Sequence, residues 1–100
     1  MNIIKKMNDG VLEIIAEGRL DTVTAPQLEN EIKADIANAD NVVFDFSKLD
    51  YISSAGLRVL LSANKTLGND GKKPVTIVNA NEIVKEVFDV TGFSDILNIL

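Results

Sequence analysis

Asn41-Val42-Val43-Phe44-Asp45-Phe46 has a period of two, with Val42, Phe44 and Phe46 on one face and Val43 and Asp45 on the other. That alternation is a strand. Soon after it, Ser54-Ala55-Gly56-Leu57-Arg58-Val59-Leu60-Leu61 opens a segment with a different period. From about Ser54 to Leu67, Leu57, Leu60, Leu61 and Leu67 fall on one side of a helix. Gly68 and the cluster Asn69-Asp70-Gly71 are expected to stop it. A strand that feeds a helix is half of a crossover unit, so the order of elements on either side settles the fold class.

Upstream, Asn2 to Met7 reads as a strand, and Asn8-Asp9-Gly10 as the turn of a hairpin, because Asp and Gly tolerate positive φ. Val11 to Glu17 is the second strand, and Gly18 is expected to end it. Thr24 then stands as a helix N-cap, with Pro26 in the first turn and Gln27 completing a capping-box pattern. Leu28, Ile32, Ile36 and Ala39 give this helix one apolar face, leaving Glu29, Lys33 and Asp35 toward water. Downstream, Pro74 to Val78 reads as a strand. Asn81 caps a helix striped by Ile83, Val84, Val87 and Phe88, and Gly92 ends it. Ile96 to Leu100 fits either a last strand or a last helical turn. The order β-β-α-β-α-β-α-(β) predicts an α/β domain. Its sheet is mixed and four- to five-stranded, with an N-terminal β-hairpin and three to four helices.

The chain has 100 residues, which is expected to make one domain, 1–100, large enough for a real core. Hydrophobic residues are 46% and charged residues 25%, a globular balance that argues against disorder. There is no Cys and no His, which excludes thiol nucleophiles, a Ser-His-Asp triad and His- or Cys-ligated zinc. A net charge of −5 without a basic face makes nucleic acid and anionic lipid poor partners. No apolar run approaches the ~18 residues of a membrane span, nor does the N-terminus read as a signal peptide. The expected compartment is the cytoplasm.

In an open α/β sheet, function gathers beyond the carboxyl ends of the strands. Two segments qualify, Gly18 to Thr24 and Ser47 to Ser54. The second puts two hydroxyls, Ser53 and Ser54, and two small residues, Ala55 and Gly56, at a helix start. One serine has an ordinary use there as an N-cap. The other reading is modification: a helix N-terminus offers unpaired N–H groups and the positive end of its dipole, so it tolerates a phosphate. No nucleotide-binding glycine motif is present, and a nucleophilic serine lacks an activating base. Asp45 and Asp50 read as turn residues rather than a metal pair. No cofactor is implied.

Tyr51-Ile52-Ser53-Ser54-Ala55-Gly56-Leu57-Arg58-Val59-Leu60-Leu61 strongly resembles the phosphorylation loop and following helix of bacterial anti-sigma factor antagonists, the stand-alone STAS domains. Gly18-Arg19-Leu20-Asp21-Thr22-Val23-Thr24-Ala25-Pro26-Gln27-Leu28 resembles the family's G-x-L-D…T…L stretch, and Val87-Phe88-Asp89-Val90-Thr91-Gly92-Phe93 its helix before the last strand. The resemblance implies a switch and not an enzyme. In the family, the unphosphorylated domain binds an anti-sigma factor with serine kinase activity and frees the sigma factor. Phosphorylation on one serine releases the complex, and a serine phosphatase resets it. Aligning the Gly-Leu that follows puts the phosphoacceptor at Ser54, with Ser53 as second choice. Many members have Asp at the position of Ser53 and Ser or Thr at that of Ala55.

On this resemblance the partner surface is expected to include Asp21, Thr22, Tyr51, Ser53, Ser54 and Arg58. Asp21, as an exposed loop carboxylate, is expected to contribute little to stability. Two other functions compete. One is a STAS-domain scaffold or accessory subunit, in a signalling complex or in lipid transport, without a phosphoswitch. The other is a small hydrolase using Ser53 or Ser54, against which the missing histidine counts.

Overall fold

In a computed structural model, which describes residues 1–69 and 74–100, the Asp9-Gly10 turn has φ of 50° and 81°. Positive φ at both positions matches the twist of the strands it joins. These are β1 (Asn2–Asn8) and β2 (Val11–Leu20), an antiparallel pair with Asn2 opposite Glu17 and Asn8 opposite Val11. The remaining elements are α1 (Ala25–Asp35), β3 (Asn41–Asp45), β4 (Leu49–Ile52), α2 (Ser54–Asn69), β5 (Thr76–Val78), α3 (Glu82–Thr91) and β6 (Asn98–Ile99). Short 3-10 turns follow α1 and α3 at Ile36–Asn38 and Phe93–Asp95.

The sheet runs β1-β2-β3-β5-β6, and every pairing after the hairpin is parallel. The α/β class and the N-terminal hairpin are as the sequence predicts. Among the described residues the sheet has six strands, and the additional one is β4, which lies off this path and pairs with β2. Ile96 to Leu100, open between strand and helix in the sequence, contributes the two-residue strand β6.

β2 is longer than expected. Its first half pairs with β3, ending at Ile15 opposite Asp45, which would leave that edge of its second half without partners. Leu49–Ile52 supplies them: Gly18 pairs with Leu49, Arg19 with Tyr51 and Leu20 with Ile52, across a register shift between Gly18 and Arg19. Gly18, at φ 104°, therefore bends the strand without ending it. The same pairing makes Leu49–Ile52, expected as loop, a short strand with Leu49 and Ile52 buried.

The core lies on one face of the sheet. Leu12, Ile14 and Ala16 of β2, Val42 and Phe44 of β3 and Ile77 of β5 are buried there with Leu28 and Ile32 of α1, Leu57 and Leu60 of α2, and Val84 and Phe88 of α3. Val11, Glu13, Ile15, Val43 and Asp45, on the opposite face, are only half-buried. Phe44 and Phe46 pack with ring centroids 5.6 Å apart, and burying one such ring contributes roughly 2–3 kcal/mol. Of the stripe expected on α3, Val84 and Phe88 are buried and Val87 partly so, whereas Ile83 is 59% exposed.

The helix ends obey local chemistry, with two departures. Asn81 caps α3, its Oδ1 accepting from Val84 N at 2.8 Å, and Gly92 closes that helix at φ 81°. Gly68 lies inside α2 and does not end it. The Asp70-Gly71 part of the expected stop lies outside the described residues. At α1, Thr24 occupies the N-cap position, but its hydroxyl makes no capping bond and Gln27 reaches the carbonyl of Met1 instead, at 3.2 Å.

Candidate functional site

Pairing between β2 and β4 brings two loops to one end of the sheet. Ser53 N donates to Leu20 O at 2.9 Å, tying the start of α2 to the start of the β2–α1 loop. Leu57 N donates to Ser53 O at 3.0 Å, so Ser53 stands just ahead of the helix and Ser54 is its first residue. The N–H groups of Ser54, Ala55 and Gly56 precede that first bond and have no acceptor within the helix. The positive end of a 16-residue helix is thus presented at Ser54.

The two serines differ sharply. Ser53 Oγ is buried and has no hydrogen-bond partner. Ser54 is exposed, and among the described residues its hydroxyl makes no hydrogen bond. Neither side chain caps α2. Gly56 explains why the helix start sits so low against the sheet: a Cβ there would fall 2.6 Å from Leu20 Cγ and 2.8 Å from Ile52 Cγ1.

Asp21 is turned inward. Its Oδ1 accepts from Val23 N at 3.0 Å and Thr24 N at 3.1 Å and lies 3.2 Å from the Thr24 hydroxyl, while Ala25 N donates to Asp21 O at 2.8 Å. The Thr24 hydroxyl also bonds Arg19 O at 2.7 Å and accepts from Asp21 N at 2.9 Å. Asp21, not Thr24, therefore organises the entry to α1. The Thr24 N–H, followed by that of Val23, the Thr24 hydroxyl and the charge of Arg19, holds the Asp21 carboxyl below its usual range. Asp21, expected as an exposed loop carboxylate, is half-buried and bonded to the N–H groups of Val23 and Thr24.

Thr22 is exposed on the same loop. It lines a groove of about 450 Å³ between α1 and α2 together with Pro26, Glu29, Ala55, Arg58 and Ser62. Arg58 is exposed and has no ion pair or hydrogen bond among the described residues. Glu29 is held by Lys33 at 3.0 Å. Tyr51 does not line this groove. Its ring lies under the Arg19 guanidinium, 4.5 Å from centroid to Cζ, at the end of the β2–β4 pair.

The structure thus brings Thr22 and Arg58 to one groove, places Ser54 one helical turn before Arg58, leaves Asp21 and Ser53 half-buried, and stacks Tyr51 under Arg19. Sequence reasoning missed Val23, 84% exposed at the loop tip, and the groove residues Pro26, Glu29 and Ser62. An apolar residue in a short polar loop was a readable signal for Val23. Asp45, at another strand end, accepts from Ser47 N at 2.9 Å and from the Asn79 amide at 3.3 Å. Burial pushes its carboxyl up, but the Ser47 and Asn79 donors and the Lys48 charge leave it below the usual range.

Among the described residues the fold is a mixed sheet with a long antiparallel hairpin, three helices on one face and a serine at the start of the second. The STAS domain model matches residues 2–100, and the chain belongs to that family. BtrV of Bordetella bronchiseptica, a candidate anti-sigma factor antagonist, is 37% identical over 92 residues, which is 91% of this chain and 78% of that protein. The anti-sigma-B factor antagonist of Staphylococcus epidermidis is 27% identical over 100 residues, 99% of this chain and 92% of that one. An anti-sigma factor antagonist from Mycobacterium paratuberculosis has a TM-score of 0.87 at 26% identity, covering 98% of this chain and 83% of that one. The unphosphorylated form of SpoIIAA shares the fold, with a TM-score of 0.79 at 17% identity over 99% of this chain and 87% of that one. No helix among the described residues is long and apolar enough to cross a membrane.

Proposed function

We propose that this chain is an anti-sigma factor antagonist controlled by phosphorylation of Ser54. In its unmodified form it binds an anti-sigma factor that is also a serine kinase, and so frees the sigma factor. The surface it uses is the strand-end region formed by Asp21, Thr22, Tyr51, Ser53, Ser54 and Arg58. Thr22 and Arg58 meet the partner directly, and Asp21 and Ser53 support the loops that carry them. The kinase transfers the γ-phosphoryl group of ATP to Ser54 Oγ. The hydroxyl proton leaves to a base of the kinase and ADP departs. A serine phosphatase restores the hydroxyl. These steps belong in the cytoplasm, where the transcription machinery is.

The observation that carries this reading is the contrast between the two serines. A kinase needs a hydroxyl it can reach, and Ser54 is exposed whereas Ser53 Oγ is buried. Ser54 also has no hydrogen-bonded base, so it suits a residue acted on by another enzyme rather than a nucleophile of its own. The names of the relatives BtrV and the staphylococcal antagonist support the same partner class.

The test is incubation with the organism's anti-sigma factor kinase and ATP, followed by mass spectrometry. Phosphate is expected on Ser54, and Ser54→Ala is expected to stay in the complex when ATP is added. Phosphate confined to Ser53, or none on the domain, would reject the reading.

A further inference from the structure

We propose that Arg58 is contested between the partner and the phosphate. In the unmodified domain it pairs with a carboxylate of the anti-sigma factor docked along the α1–α2 groove. Once Ser54 is phosphorylated, the phosphate withdraws it. The inference rests on the function proposed above and adds to it a second cause of release, beyond the bulk and charge of the phosphate.

Three observations carry it. First, Arg58 is exposed in the groove and no group among the described residues engages it, although the chain bears a net charge of −5. The carboxylate that lines the groove, Glu29, is held by Lys33 at 3.0 Å. Second, Arg58 follows Ser54 by one turn of the same helix, at i and i+4, where side chains are neighbours. Helical side chains lean toward the N-terminus, so a guanidinium at position 58 has position 54 within its reach. Third, Ser54 offers that guanidinium only a neutral hydroxyl at present, and no bond forms. A phosphate would offer a dianion and a bidentate geometry, far the stronger partner.

The occupant follows from charge. An unpaired guanidinium beside small residues such as Ala55 suits an acidic side chain entering the groove. That pair holds only while the guanidinium is free. Phosphorylation then acts twice, by placing a dianion at the interface and by removing the cation that held the partner.

Two measurements test this. Phosphoserine is introduced at position 54 during translation, without a kinase, and the free domain is titrated by 31P NMR. The second phosphate pKa is expected below its ordinary value of about 6, and Arg58→Gln should raise it part of the way back, the helix N-terminus accounting for the rest. Second, the affinity of the purified anti-sigma factor is measured for unmodified and phosphorylated domains, with Arg or Gln at 58. Arg58→Gln is expected to weaken the unmodified complex about tenfold and leave the phosphorylated one unchanged, so discrimination falls about tenfold. Arg58→Lys should recover part of the loss. An unmoved phosphate pKa, an unmoved affinity for the unmodified domain, or equal weakening of both forms would overturn the proposal. If Ser54→Asp abolishes binding while Arg58→Gln changes nothing, this inference fails and the proposed function stands. If the unmodified wild-type domain does not bind at all, both fail.

Discussion

Gly56 packs directly on Leu20: a Cβ at Gly56 would lie 2.6 Å from Leu20 Cγ, closer than side chains tolerate. The first turn of α2 therefore rests on the end of β2, and this contact fixes where Ser54 is presented. Gly56→Ala must displace either the Leu20 and Ile52 side chains or the helix start. Overpacking of this kind costs about 1–3 kcal/mol. The expected result is a lower denaturation midpoint together with slower phosphorylation of Ser54. Leu20→Ala in the Gly56→Ala background opens the space and should restore part of the phosphorylation rate. Wild-type stability in the single variant would show that the contact is soft.

Asp21 separates charge from capping. Its Oδ1 accepts from two backbone N–H groups at the entry to α1, and Asn retains an oxygen in that place whereas Ala does not. Asp21→Ala is expected to lower Tm by a few degrees and Asp21→Asn to lower it less. The folded carboxyl sits below its ordinary pKa of 3.8, so its contribution is present above that value and is lost as pH falls through the folded value. Thermal melts should show the wild type and Asp21→Asn converging only in acid, below about pH 4. A gap between them that persists there would contradict this account of the loop.

Lys5 ties the hairpin to α1. Its Nζ lies 2.6 Å from Asp35 Oδ2 and 2.8 Å from Glu31 Oε2. Asp35 first, and Glu31 after it, raise its pKa above 10.5. Lys5→Gln is expected to cost about 0.5–1 kcal/mol at neutral pH. A raised folded pKa means that this contribution is complete below the unfolded value and is lost as pH rises through the folded one. Urea midpoints of the two proteins should differ by a constant amount up to about pH 10 and converge above it. Convergence near neutrality would assign the difference to something other than this ion pair.

Much of this fold is written locally. The alternation of Val42, Phe44 and Phe46, the Asp9-Gly10 turn and the Asn81 cap each act over a few residues, and each is found where the sequence puts it. β4 is different. Leu49 and Ile52 are three apart, which is no strand period, and the segment becomes a strand because the far half of β2 needs a partner. The cap of α1 also escaped local reading, since Asp21 takes the N–H groups of Val23 and Thr24, three residues ahead of the Thr24 cap that the sequence suggests, and only the loop geometry sets where the helical turn begins. At the site, the serine pair and its helix were legible. The burial of Ser53 Oγ and the groove that joins Pro26 to Ser62 were not, because both depend on how α1, α2 and the β2–β4 end pack together.

On the proposed function, the state of Ser54 decides whether the partner stays. Isothermal titration calorimetry of the anti-sigma factor with unmodified domain, and with domain carrying phosphoserine at position 54, tests it most directly. A bare hydroxyl at an interface becomes a bulky dianion that must be desolvated. The account expects affinity to fall about a hundredfold on phosphorylation, equivalent to about 3 kcal/mol, with the domain's own Tm nearly unchanged. Equal affinities for the two forms would contradict it.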